Sequence, residues 1–204
     1  MTQGFVLIPK SVVGRRHSFK RKRLPALATL MLCFAHLLLA GSPARAEPNA
    51  HEYEVKAAFV YNFAKFVDWP EQCFADAGSP IVIGVFGASP IGPELEKAVA
   101  GRKINGRPLV IRPVANAAAA KATQLLFVGA ADEARLGDLH DALPWGVLTV
   151  GESEGFYQRG GMIVFQPEAD RLRFEINVAA ARQAGLKVSA QLQKLAKSVK
   201  KGPQ

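Results

Sequence analysis

Few residues in this sequence could do chemistry, and their spacing narrows what that chemistry could be. A structural zinc site takes about four Cys or His ligands at short spacing. Beyond residue 46 the chain offers Cys73 and two histidines, His51 and His140, 89 positions apart. Cys73 with His140 could make a nucleophile–base pair, but no flanking signature surrounds Cys73. A packed thiol is the plainer reading. Gly84, Gly87 and Gly92 suggest a phosphate-binding turn. Their spacing is not G-x-G-x-x-G, and Pro90 and Pro93 remove amides that a phosphate could use. No metal, cofactor or catalytic residue is expected.

The remaining candidates are polar or aromatic groups in connections. Glu152 and Glu154, in Gly151-Glu152-Ser153-Glu154-Gly155-Phe156, could serve acid/base chemistry or cap a short helix. Phe156, Tyr157 and Arg159 lie between Gly155 and Gly160-Gly161. Aromatic and Arg residues in a surface connection are the types that anchor partners. The alternative is that Phe156 plugs the core. Glu168 joins these three as a candidate partner contact. Arg171 and Arg173 follow at a period of two, so they share a strand face that could clamp an anion or simply face water.

Several elements must position these groups. Val55, Phe59, Phe63, Phe66 and Val67 recur at helical spacing over 51–68, and Trp69-Pro70 ends that helix. Residues 81–86, Ile-Val-Ile-Gly-Val-Phe, read as a strand buried on both faces. A helix over 94–100, a strand over 108–114 and a helical turn or loop over 115–122 follow, with a turn at Asn105-Gly106. Further strands are predicted at 124–129 and 146–150, separated by a helix over 133–143. Residues 162–165 and 172–177 read as an antiparallel hairpin, and Asn177 caps a helix over 178–184. Ser189 opens a last helix, and Lys197–Lys201 reads as a solvated tail. The alternation predicts one α/β domain of three layers. Its sheet is mostly parallel with a C-terminal antiparallel hairpin, and helices lie on both faces.

Charge sets the compartment and excludes one class of function. The 204 residues carry 26 Lys+Arg against 17 Asp+Glu. Eight of the basic residues and none of the acidic ones fall within 1–46, so 47–204 has a net charge of +1. A nucleic-acid partner is therefore not expected. The basic stretch through Arg23, the apolar run Leu24–Ala40 and Ala44-Arg45-Ala46 read as a signal peptide cleaved after Ala46. The product, 47–204, would be a periplasmic domain, and Cys73 alone permits no disulfide within a subunit.

Three ordered blocks resemble one family. They are 57–70, Ala-Ala-Phe-Val-Tyr-Asn-Phe-Ala-Lys-Phe-Val-Asp-Trp-Pro; then 150–156 with Gly160-Gly161-Met162-Ile163; then 173–181 with 186–189, Leu192 and Leu195-Ala196. Together they are similar to the YfiR family of bacterial periplasmic proteins. The resemblance implies a repressor that holds the periplasmic domain of a membrane-bound diguanylate cyclase or sensor protein, lowering cyclic-di-GMP synthesis and biofilm formation. It also implies an outer-membrane lipoprotein that relieves repression, and a homodimer as one possible assembly. The family namesake carries several cysteines tied to redox control, whereas Cys73 alone remains here; an intersubunit bridge is the one disulfide left. Two other readings stay open from the residues: a small-ligand sensor and an exported hydrolase.

Overall fold

The computed structural model describes residues 50–136, 143, 145–168 and 171–201. The expected signal peptide and its cleavage after Ala46 lie outside these residues, as do most of the helix expected over 133–143 and the hairpin tip at 169–170. The described residues belong to one compact unit, Glu47–Gln204.

Five parallel strands form the centre. They are β2 (Ile81–Phe86), β4 (Arg107–Val114), β5 (Leu125–Val128), β6 (Leu148–Gly151) and β7 (Ile163–Glu168). β7 turns back into antiparallel β8 (Arg171–Asn177), and β10 (Ser198–Lys200) pairs parallel to β8. β3 (Lys103–Ile104) is a short antiparallel edge on β4. The order is β10-β8-β7-β6-β5-β2-β4-β3. A separate ribbon pairs β1 (Val67–Asp68) with β9 (Lys187–Val188).

The strand order explains the composition of the strands. The chain steps outward from β2 to β4, then crosses back over β2 to reach β5. Helices therefore fall on both faces, and the central strands must be apolar on both sides. β2, β5 and β6 are buried at every position. On one face lie α1 (Ala50–Lys65), α2 (Ile91–Val99), α5 (Val178–Gln183) and α6 (Ala190–Leu195), whose buried residues join the larger cluster. The other face carries α3 (Ala117–Ala120) and α4 (Glu154–Gln158), which give Ala120 and Phe156 to a smaller cluster.

Local chemistry sets the boundaries. Asn177 Oδ1 accepts from the Ala180 amide at 3.0 Å, and Ser189 Oγ from the Leu192 amide at 3.1 Å, capping α5 and α6 as their sequences predict. Asn105 and Gly106 both take positive φ, 50° and 83°, the mirror turn that matches strand twist in a two-residue hairpin. α1 departs from expectation. Its buried stripe is Tyr53, Lys56, Ala57, Val60, Phe63 and Ala64, while Val55 and Phe59 are only half-buried. The small Ala57 and Ala64 let the helix settle close, and Phe59 meets Phe165 and Phe174 edge-on from the side. The expected solvated tail is also corrected: 198–200 form β10, because β8 offers an edge whose backbone groups need partners.

No helix among the described residues is long and apolar enough to cross a membrane.

Candidate functional site

In a doubly wound sheet, ligands collect at the carboxyl ends of the strands where the winding reverses, here between β2 and β5. The loops leaving β2, β5 and β6 meet at this edge, and the first turns of α1 come down onto it. Lys56 projects from α1 into the cluster, and its Nζ lies 2.6 Å from Glu152 Oε1 and 2.5 Å from Glu52 Oε1. The other oxygen of Glu152 accepts from the Ala130 amide at 3.0 Å. Burial pulls the Lys56 ammonium towards neutrality, but hydrogen bonds to Glu152 and Glu52 outweigh it, so its pKa is raised.

A second carboxylate, Glu133, lies beneath the same loop and is buried. Its Oε1 accepts the amides of Glu152 and Ser153, each at 3.0 Å, and its Oε2 accepts the Ser153 hydroxyl. Arg159 Nη2 approaches that oxygen at 3.5 Å. Asp132 completes the edge by accepting the Ala88 amide at 3.2 Å and pairing with Arg135 at 2.5 Å.

This arrangement fastens rather than reacts. A general base needs an oxygen free to take a proton from substrate. Both oxygens of Glu152 and both of Glu133 are held by the chain's own donors. Where a ligand anion would sit, the protein has placed its own carboxylates. The acid/base option for Glu152 thus gives way to a structural one, and Ser153 caps α4 through the Phe156 amide at 3.1 Å. The glycine turn after β2 is also structural. Gly84 lies within β2, where an added Cβ would meet Thr123 and Val114 at 2.8 Å, and Gly87 (φ 73°) lies against Asp132.

The partner candidates are placed unequally. Residues 154–158 are helical rather than an irregular connection. Phe156 is fully buried, so it cannot serve as a surface anchor. Its ring fills the space over Gly151 and Gly161, where an added Cβ would come within 2.3 and 2.2 Å of it. That contact accounts for Gly151 and Gly161, whereas Gly160 answers to its backbone, at φ 89°. Tyr157 and Arg159 are half-buried, and Glu168 and Arg171 are exposed. The Tyr157 ring has Lys200 Nζ at 6.0 Å. Burial first, then the charges of Glu175 and Glu154, raise its pKa and keep the phenol protonated. Glu168 pairs with Lys197 at 3.2 Å and stands opposite Arg171 in the hairpin register. Arg173 faces Gln166 across the hairpin, and its buried Nε–H has no acceptor among the described residues. Tyr157, Glu168 and Lys197 thus reach the β7–β8–β10 side, while Arg159 turns back to Glu133.

Cys73 closes the other end of the sheet. Its carbonyl accepts from Gln124 Nε2 at 2.9 Å, and its Sγ lies where a Cβ on Gly146 would come within 2.4 Å. Burial raises the thiol's pKa, the opposite of what activates a nucleophile. His140 lies outside the described residues.

Lys56, Glu52 and Glu133 escaped the sequence reading. One signal was available: Lys56 sits on the helical stripe of Tyr53, Val60 and Phe63, with Glu52 one turn before it. A charge on an apolar stripe calls for a buried partner.

A family model described as YfiR/HmsC-like matches residues 53–197. Among solved structures, the chain is similar to a conserved domain protein from Vibrio cholerae O1 biovar El Tor str. N16961, at 15% identity and a TM-score of 0.47. That match covers 72% of this chain and 60% of the other. No curated protein matches the sequence.

Proposed function

From the premise that this chain belongs to the YfiR/HmsC-like family, we propose that it represses a membrane-anchored diguanylate cyclase by binding the cyclase's periplasmic domain. Family membership supports the coarser part, a periplasmic regulator of the diguanylate cyclase pathway. The observation that carries the binding reading is the closed carboxyl edge, where Glu152 and Glu133 spend every oxygen on the chain's own donors. A protein acting this way changes a cytoplasmic active site only by favouring one state of its membrane partner. Tyr157 and Glu168, at the surface beside β8 and β10, are the proposed contacts; Arg159 is turned to Glu133 instead.

Deleting the gene should raise cellular cyclic-di-GMP and biofilm mass. Tyr157→Ser should reproduce the deletion while the protein accumulates normally. Truncating one true anchor costs ~2 kcal/mol of binding, roughly a 30-fold loss. An unchanged cyclic-di-GMP level on deletion would sink the proposal.

One observation favours a second reading, a small-ligand sensor. A groove of about 370 Å³ runs between α1 and α2, lined in part by Glu54, Tyr61, Glu94, Lys97 and Arg102. Arg102 lies over the Tyr61 ring at 4.7 Å. Calorimetric titration against small periplasmic metabolites would separate the readings.

A further inference from the structure

The near-neutral charge of 47–204 hides a sharp division. Residues 47–175 carry 12 basic and 17 acidic side chains, whereas 176–204 carry six basic and none acidic. The six are Arg182, Lys187, Lys194, Lys197, Lys200 and Lys201, and every one is exposed. They are carried on α5, β9, α6, β10 and the residues beside them. α5 packs against both β9 and β10, so these elements form one strip along the β8–β10 edge of the sheet. Only Lys197 within the strip has a carboxylate partner among the described residues, Glu168.

The two exposed large hydrophobic residues among those described border the same strip. Leu195, 58% exposed, ends α6 between Lys194 and Lys197. Trp145, 51% exposed, lies against Gly185 at the α5–β9 turn, where the Gly146 amide bonds the Ala184 carbonyl at 2.8 Å. Exposed Trp and Leu among cations are the side chains that settle at a lipid–water interface.

The choice of cation decides between two kinds of acidic surface. Lysines are depleted from the cores of protein interfaces, where arginine's planar fork is preferred. A diffuse anionic surface makes no such demand, because a mobile ammonium is attracted to it without fixed geometry. Five of the six cations here are lysine. We infer that the strip from Arg182 to Lys201 rests on an anionic phospholipid surface, with Leu195 and Trp145 reaching into the headgroups. The inference concerns lipid, but Lys197 and Lys200 reach Glu168 and Tyr157, the proposed cyclase contacts, so lipid and partner binding are read separately.

The test is sedimentation of the protein with vesicles of phosphatidylcholine, or of phosphatidylcholine and phosphatidylglycerol in a two-to-one ratio. Binding should favour the anionic vesicles and weaken from low salt to about 0.5 M, where charges more than ~4 Å apart are screened. Each lysine is worth roughly a factor of five at such a surface, so Lys194, Lys197, Lys200 and Lys201 changed together to Gln should lower binding at least tenfold. The matching Arg variant should retain it, which separates charge from folding. Equal binding to both vesicle types, or an unchanged Gln variant, overturns the inference. So does a Gln variant that binds lipid normally but loses a protein partner, because the surface would then belong to an acidic protein.

Discussion

Lys56 and Glu152, 96 positions apart in sequence, meet at 2.6 Å with less than a tenth of either side chain exposed. The pair ties the first helix to the loop after β6. Removing Lys56 leaves the Glu152 carboxylate buried with only the Ala130 amide beside it, which costs ~3–5 kcal/mol, whereas replacing both with apolar residues is often near neutral. Urea unfolding should therefore show Lys56→Met strongly destabilised, and Lys56→Met/Glu152→Leu closer to wild type than the single variant. A double variant as weak as the sum of its singles would remove the coupling.

The same pair fixes a pH dependence. The Lys56 pKa is raised above its ordinary 10.5 in the fold, so the stabilisation is complete below that value and is lost as pH climbs through the folded pKa. Tyr53 and Tyr157 are raised too and act in the same direction. Stability measured from neutral pH into the alkaline range should fall more steeply for wild type than for Lys56→Met. Parallel curves would contradict the assignment.

Gly151→Ala and Gly161→Ala should each destabilise by ~1–3 kcal/mol, because the new methyl group meets the Phe156 ring. Phe156→Leu in the Gly151→Ala background should cost less than it does alone. Additive losses in that double-mutant cycle would show that the glycines are needed for another reason.

Arg159→Glu and Tyr157→Ser should part company. The first places a carboxylate beside buried Glu133 and should lower the melting temperature markedly. Tyr157→Ser changes a half-buried residue and should stay within a few degrees of wild type while weakening partner binding. Thermal melts run beside a pull-down with the cyclase's periplasmic domain give both readouts.

Cys73→Ser should leave regulation intact. Because burial raises its pKa, Cys73 should react with iodoacetamide at neutral pH more slowly than a free cysteine. Fast alkylation, or lost repression at normal protein level, would restore a chemical role for the thiol.

Much of the fold could be read along the chain because its determinants are local. The continuous apolar run at 81–86 announced a doubly buried strand and 124–129 a further strand, and Asn177 and Ser189 announced helix starts by offering side-chain oxygens to orphan amides. Periodicity placed the helix and Phe63 but not the whole contact face of α1, which small alanines share with the aromatic residues.

The site was far less legible. The strand–helix alternation, the family blocks and the charge division at residue 175 all stand in the order of the amino acids. So does the placing of Phe156 among glycines, but that order leaves open whether the ring faces water or core. Folding answers the question by bringing Gly151 and Gly161 onto the ring. Folding also joins Lys56, Glu133 and Glu152 from three separate segments. The difference lies in the reach of the interactions: a cap or strand is specified by neighbours a few residues away. A buried charge is specified by whichever partner the sheet winding brings within hydrogen-bond reach, and that winding crosses back over β2 before β5 begins.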